Sequence, residues 1–324
     1  MSQRPVAVVA FGGNALVGPN NESAIDDQYQ AVMNTAGHVI DMIEAGWNVV
    51  LTHGNGPQVG FLLRRSELAC HEVHPIPLDY AVSDTQGATG YMFQKALRNE
   101  MAKRQVKRPV VSIVTQTMVD KNDPAFAHPS KPIGSFMSRQ LAEDNQRQLG
   151  WTIIQDSGRG WRRTVASPKP QHIVELETIE LLLDSGTLVI ACGGGGIAVS
   201  EHADGHIEGV EAVIDKDLSS ALLAQELGAN LLVIATSVER AAINFGQRDQ
   251  QWLDMLTAQE AQVLVEQGQF GEGSMRPKVE ALLQFVAATQ DTAAVITRPD
   301  CIGKALKGET GTWIGNRDRW TNIT

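Results

Sequence analysis

The chain has 324 residues, 43% of them hydrophobic and 20% charged, and 37 acidic against 27 basic side chains leave a formal charge of -10. That composition is globular, and its acidity argues against a surface built for nucleic acid or an anionic membrane. At this length one core stops growing, so a large α/β unit with two lobes, or two close domains, is expected.

From the N-terminus, Met1 to Phe11 carries one Arg and then a strand-length apolar run, too short for a signal-peptide core with its cleavage site. No later stretch approaches the ~20 apolar residues of a membrane helix. Cys70, Cys192 and Cys301 are odd in number and far apart, which suits a reducing compartment. The expected location is therefore cytoplasmic. Apolar runs predict buried strands over Val6–Phe11, Val49–Thr52, Val110–Val114, Leu188–Ala191, Leu231–Ala235 and Ala293–Thr297. Helical stretches fall between them: Gln28 to Ala45 before Gly46, Glu175 to Asp184 before Gly186, and Leu218 to Leu227 before Gly228. Thr257 with Glu260 reads as a capping box opening a helix toward Gly268. Strands apolar throughout need cover on both faces, so the pattern predicts a largely parallel sheet sandwiched by helices.

One stretch breaks the alternation. Lys121 to Pro170 is rich in Pro and Gly, has few strand-like runs, and holds eight cations against four anions. Such an insertion in an acidic chain is either a solvated lobe or a lid over an anion.

Three turns behind predicted strands are glycine-rich: Gly12-Gly13-Asn14, Gly54-Asn55-Gly56 and Gly193-Gly194-Gly195-Gly196. Glycine lets backbone N–H groups converge on an anion, although tight strand-to-helix turns also need it for steric reasons. Three such turns at the same ends of parallel strands favour a ligand crevice there. The spacing Gly54, Gly56, Gly60 only loosely resembles a dinucleotide fingerprint, and no Walker A lysine or protein-kinase signature is present. Phosphoryl transfer would need another scaffold, with lysines as compact point charges. Lys131, Lys216 and Lys278 are the candidates, Lys216 lying between Asp215 and Asp217, which could hold it or lie near nucleotide-bound magnesium. His202 and His206 have a metal-like spacing, but Gly205 breaks the helix that would align them, so a solvated loop is expected.

In order along the chain stand Phe11-Gly12-Gly13-Asn14-Ala15, Thr52-His53-Gly54-Asn55-Gly56-Pro57-Gln58, Lys131-Pro132-Ile133-Gly134, Asp156-Ser157-Gly158-Arg159-Gly160, Ser167-Pro168-Lys169-Pro170, Asp215-Lys216-Asp217, Gly273-Ser274-Met275 and Gly308-Glu309-Thr310-Gly311-Thr312. With these motifs the sequence resembles carbamate kinases of the amino-acid-kinase superfamily. The resemblance implies an αβα sandwich around a largely parallel sheet. It implies an N-terminal lobe over 1–217 for carbamate and the phosphoryl group, a protruding subdomain at about 121–170, a nucleotide lobe over 218–324, and a homodimer. By the same likeness Gly12, Gly13, Asn14, Gly54, Asn55 and Gly56 would hold the phosphoryl group and carbamate. Lys131, Lys216 and Lys278 would neutralise phosphates, with Asp215 and Asp217 fixing Lys216 or the metal region. Gly193, Gly194, Gly195, Gly196, Ser274 and Met275 would approach ATP or ADP, and magnesium would enter through the nucleotide phosphates rather than through direct protein ligands. Asp84, Ser135, Trp161, Ala198, Ser237 and Ala242 depart from the family's usual residues while leaving the lysines intact. A kinase for another small carboxylate or carbamoyl compound and a non-catalytic regulatory paralogue stay open beside the carbamate kinase reading.

Overall fold

The computed structural model describes residues 4–13, 24–156, 159–288 and 291–316. Its centre is an eight-stranded sheet in the order Met255–Leu256, Thr312–Gly315, Ala293–Thr297, Leu231–Ala235, Val6–Phe11, Asn48–His53, Leu188–Ile190 and Val110–Ser112. Every pairing is parallel except that between Ala293–Thr297 and Thr312–Gly315. Successive side chains of a strand point to opposite faces, and here both faces are covered. Ala7, Val9, Phe11, Val49 and Leu51 pack beneath the helices Ile25–Glu44 and Leu78–Lys103. Val8, Ala10, Val50, Leu232 and Ile234 pack on the other side against Leu176–Asp184, Lys216–Glu226 and Arg276–Ala288. This is the expected αβα sandwich.

The strand expected over Val110–Val114 leaves the sheet after Ser112. Its continuation, Gln116–Val119, joins Ile207–Gly209, Ile197–Glu201 and Pro170–Ile173 in a second, four-stranded sheet. The third predicted helix begins earlier than expected, at Lys216, because the Asp215 side chain accepts a hydrogen bond from the Asp217 N–H and caps it. The expected capping box is present, Thr257 and Glu260 each bonding the other's backbone N–H.

The insertion holds more strand than its sequence suggests. Lys131–Met137, Trp161–Val165 and Thr152–Gln155 form an antiparallel three-stranded sheet carrying the helix Arg139–Leu149. Lys131–Met137 and Thr152–Gln155 are mostly half-buried or exposed, so they lack the continuous apolar runs that mark the central sheet. The sheet docks on the body where Gly134 meets Gly60 of the helix Gln58–Ala69; a Cβ at Gly60 would lie 2.9 Å from the Gly134 Cα. No helix among the described residues is long and apolar enough to cross a membrane.

Candidate active site

The C-terminal ends of Val6–Phe11 and Asn48–His53 turn beside one another, as in open α/β sheets whose crevices lie outside the carboxyl ends of strands. The Gly12 N–H donates to the Ala235 carbonyl (3.0 Å), and the Gly54 N–H donates to the Phe11 carbonyl (2.9 Å). The two turns touch backbone to backbone, since a Cβ on Gly54 would stand 2.9 Å from the Gly13 nitrogen. Asn14 lies outside the described residues.

The third glycine turn closes on these. Gly194 has φ +68°, and a Cβ there would fall 1.9 Å from Asn55 Oδ1, an oxygen that is buried without a hydrogen-bond partner. Gly193 packs on the His53 ring, Gly195 on Ile214 and Gly196 on Thr117. Gly194 lines the first of two cavities beside these turns, together with Gly13, Gly54, Asn55 and Gly56.

That first cavity, of about 670 Å³, is also walled by Lys131, Lys216, Arg159 and Arg162, with no carboxylate among the described residues of its lining. A second cavity of about 610 Å³ is walled by Ser237, Ala242, Phe245, Ser274, Met275 and Lys278, among others. The predicted lysines and aspartates join the two. Lys131 Nζ donates to Asp215 Oδ2 (3.0 Å), Lys216 donates to Asp217 Oδ1, and Lys278 Nζ donates to Asp217 Oδ2 (3.1 Å) and to the Ser274 carbonyl (3.0 Å). Asp217 is buried and shared by two ammonium groups, one facing each cavity.

Burial pushes the Lys216 ammonium below the ordinary lysine range; Asp217 opposes the shift and neighbouring Lys278 adds to it. Burial alone would raise Asp215, but the Lys131 charge and hydrogen bond, helped by the Asp217 N–H, bring it down to about 2. The helix carrying Lys216 is tied to the second glycine turn's strand through Ser220, whose hydroxyl meets Thr52 Oγ1 at 2.6 Å and donates to the Lys216 carbonyl at 2.5 Å.

Sequence reasoning missed two supports of the site. Gln86 is a buried residue on the helix Leu78–Lys103; its amide donates to the Thr115 and Gly193 carbonyls and accepts from the Thr115 N–H. It clamps the third glycine turn. His53 is buried, bonded through Nδ1 to the Gly54 carbonyl and stacked on Phe93. Burial, with a smaller push from Lys216, lowers it from 6.5 to about 4 despite the Gly54 bond. Its folded pKa lies below its unfolded one, so the stability tied to neutral His53 is fully present above pH 6.5 and is lost as pH falls toward 4. Urea unfolding at a series of pH values is predicted to register a loss of up to about 3 kcal/mol across that window. His53→Asn, which retains an N–H near the Nδ1 position, should flatten that slope; an equal slope in the variant would remove His53 as its source.

Among the described residues no cluster of three or more His, Cys, Asp or Glu is arranged to hold a metal ion. His202 and His206 flank a turn, with His202 Nε2 2.8 Å from Glu208. Of the insertion's eight cations, Lys131, Arg159 and Arg162 wall the first cavity, and Lys121, Arg139, Arg147, Arg163 and Lys169 are not in its lining.

The sequence profile described as the amino acid kinase family matches residues 5–297. A carbamate kinase of Thermococcus kodakarensis is 47% identical over 311 residues, covering 95% of this chain and 98% of that one. The carbamate kinase-like protein YahI of Escherichia coli is 46% identical over 315 residues, covering 96% and 99%. The structure of a Giardia lamblia carbamate kinase bound to AMP-PNP superposes with a TM-score of 0.90 at 39% identity, covering 97% of this chain and 99% of that one. With its sandwich, its three converging glycine turns and its lysine relay between two cavities, the chain belongs to the amino acid kinase family.

Proposed function

We propose that the protein is a carbamate kinase: it transfers a phosphoryl group reversibly between ATP and carbamate, forming ATP from carbamoyl phosphate and ADP in the catabolic direction. The observation that carries this reading is the Lys216–Asp217–Lys278 relay, which sets one ammonium toward each cavity. Phosphoryl transfer asks for two oxygens in line and for charge neutralisation on the moving group. In this reading carbamate and the transferred group occupy the first cavity, cradled by backbone N–H groups of Gly13, Asn55 and Gly56, with Gly12 and Gly54 holding the two turns together through their own N–H groups, and the nucleotide lies in the second against Ser274 and Met275.

Lys131 approaches the transferred group from the insertion, Lys216 from between the cavities, and Lys278 from the nucleotide side. A nucleotide oxygen attacks phosphorus as the bond to the carbamate oxygen breaks, and the lysines balance the charge spreading over the equatorial oxygens. Asp215 and Asp217 are each engaged by ammonium groups, so the site fits magnesium brought in on phosphate oxygens and water, where it would offset nucleotide charge. The three free cysteines support a cytoplasmic setting. A homodimer is part of the same proposal, checked by light scattering.

The deciding experiment gives purified protein carbamoyl phosphate, ADP and magnesium and measures ATP. Sustained ATP formation is expected. A folded protein that binds ADP yet makes no ATP would instead direct the search to another small carboxylate or carbamoyl acceptor.

A further inference from the structure

In the antiparallel pairing of Lys131–Met137 with Trp161–Val165, Ile133 lies opposite Arg163 and Met137 opposite Trp161. Three residues, Gly134, Ser135 and Phe136, therefore face Arg162 alone, and the strand bulges toward the first cavity, which all three line. The bulge begins three residues after Lys131. Gly134 takes φ +72° within it and is the point where the insertion touches Gly60 of the body.

Arg162, itself in the cavity wall, braces this bulge. Its Nη2 donates to the Pro132 carbonyl (3.2 Å), on the residue next to Lys131, and its Nη1 donates to Asp156 Oδ2 (3.1 Å). The guanidinium carbon lies 5.4 Å from the Phe136 ring centre, and Nε is buried without a partner. A planar fork can reach a carbonyl and a carboxylate while lying against an aromatic face, a combination that a lysine ammonium cannot reproduce. Lys131, in the same cavity wall, crosses to Asp215 and forms an ion pair between insertion and body.

From this arrangement we infer that Arg162 is a positioning residue of the reaction: by bracing the bulge it fixes where the Lys131 ammonium meets the transferred phosphoryl group. The inference rests on the phosphotransfer reading above. It differs from a general role in folding because its effect passes through one side chain, that of Lys131.

Steady-state rates and lysine labelling test it together. Arg162→Ala is expected to lower kcat about tenfold while KM for ADP stays within twofold, since the second cavity is untouched. Arg162→Lys is expected to recover little of that loss. In a Lys131→Ala background the Arg162→Ala change should cost almost nothing further, because the group it positions is gone. Equal, multiplicative losses in both backgrounds would overturn the inference, as would unchanged kcat in Arg162→Ala. Acylation of Lys131, read by peptide mass spectrometry on the folded protein, is expected to rise at least threefold in Arg162→Ala; unchanged labelling also counts against the brace. This second readout needs no turnover, so an inactive wild-type protein would defeat the carbamate assignment and leave the brace separately tested. If Arg162→Ala does not fold, Arg162→Lys is carried through the same cycle and the same labelling.

Discussion

Replacing Lys216 by alanine is expected to lower kcat for ATP formation by roughly 10²–10³, the scale on which loss of one preorganised charge-stabilising donor acts. The lysine opens a helix whose cap, Asp215, stays in place when the side chain is trimmed, so the fold should survive. Its ammonium is held below the ordinary lysine range mainly by burial, and in water it would be a weaker partner for a phosphoryl oxygen. The same depression predicts that activity declines on the alkaline side at a lower pH than an exposed lysine would impose, as Lys216 loses its proton. Turnover of the alanine variant within threefold of wild type, with an unchanged melting temperature, would remove Lys216 from the reaction.

A second large effect is predicted at Asp217, and it falls on stability as well as rate. The carboxylate is nearly inaccessible and neutralises Lys216 and Lys278 together. Asp217→Ala leaves two ammonium groups close to each other with their shared counterion gone. Breaking a buried ion pair by removing one partner costs about 3–5 kcal/mol, which for a protein of this size corresponds to a melting temperature lower by roughly 4–7 °C. Turnover should fall as well, because neither lysine retains its aim. Thermal unfolding with and without ADP makes the comparison; a melting temperature within 2 °C of wild type, roughly a kilocalorie at this size, would contradict the shared-counterion account. Asp217→Asn, which keeps the volume, should lose activity while recovering part of the stability.

The central sheet was readable from sequence because its physics is local. Leu231–Ala235 and Ala293–Thr297 appear at their expected bounds, since a strand covered on both faces is written as an unbroken apolar run. Lys131–Met137 was not readable as a strand, because a half-solvated strand with Pro132 and Gly134 carries no such signature. The lysines were singled out by motif and charge. Their pairing through Asp217 depended on Lys278, distant in sequence, and only the fold brings that residue in. Gln86 was invisible for a related reason: a glutamine on a helix reads as surface until the partners for its buried amide are known. Arg162 was counted among the insertion's cations, yet its bond to the Pro132 carbonyl depends on strand register, which composition does not encode.

The hydrogen-bonded seam between Val6–Phe11 and Leu231–Ala235 has a mechanical consequence. It registers five residue pairs across the line where the two expected lobes meet. A hinge along that line would have to break the ladder, so the spacing between the two cavities is set like a fixed gauge. The insertion is seated on the body by Gly134 against Gly60, by Ile133 and Val165 in a shared core with Val59 and Leu63, and by the Lys131–Asp215 ion pair.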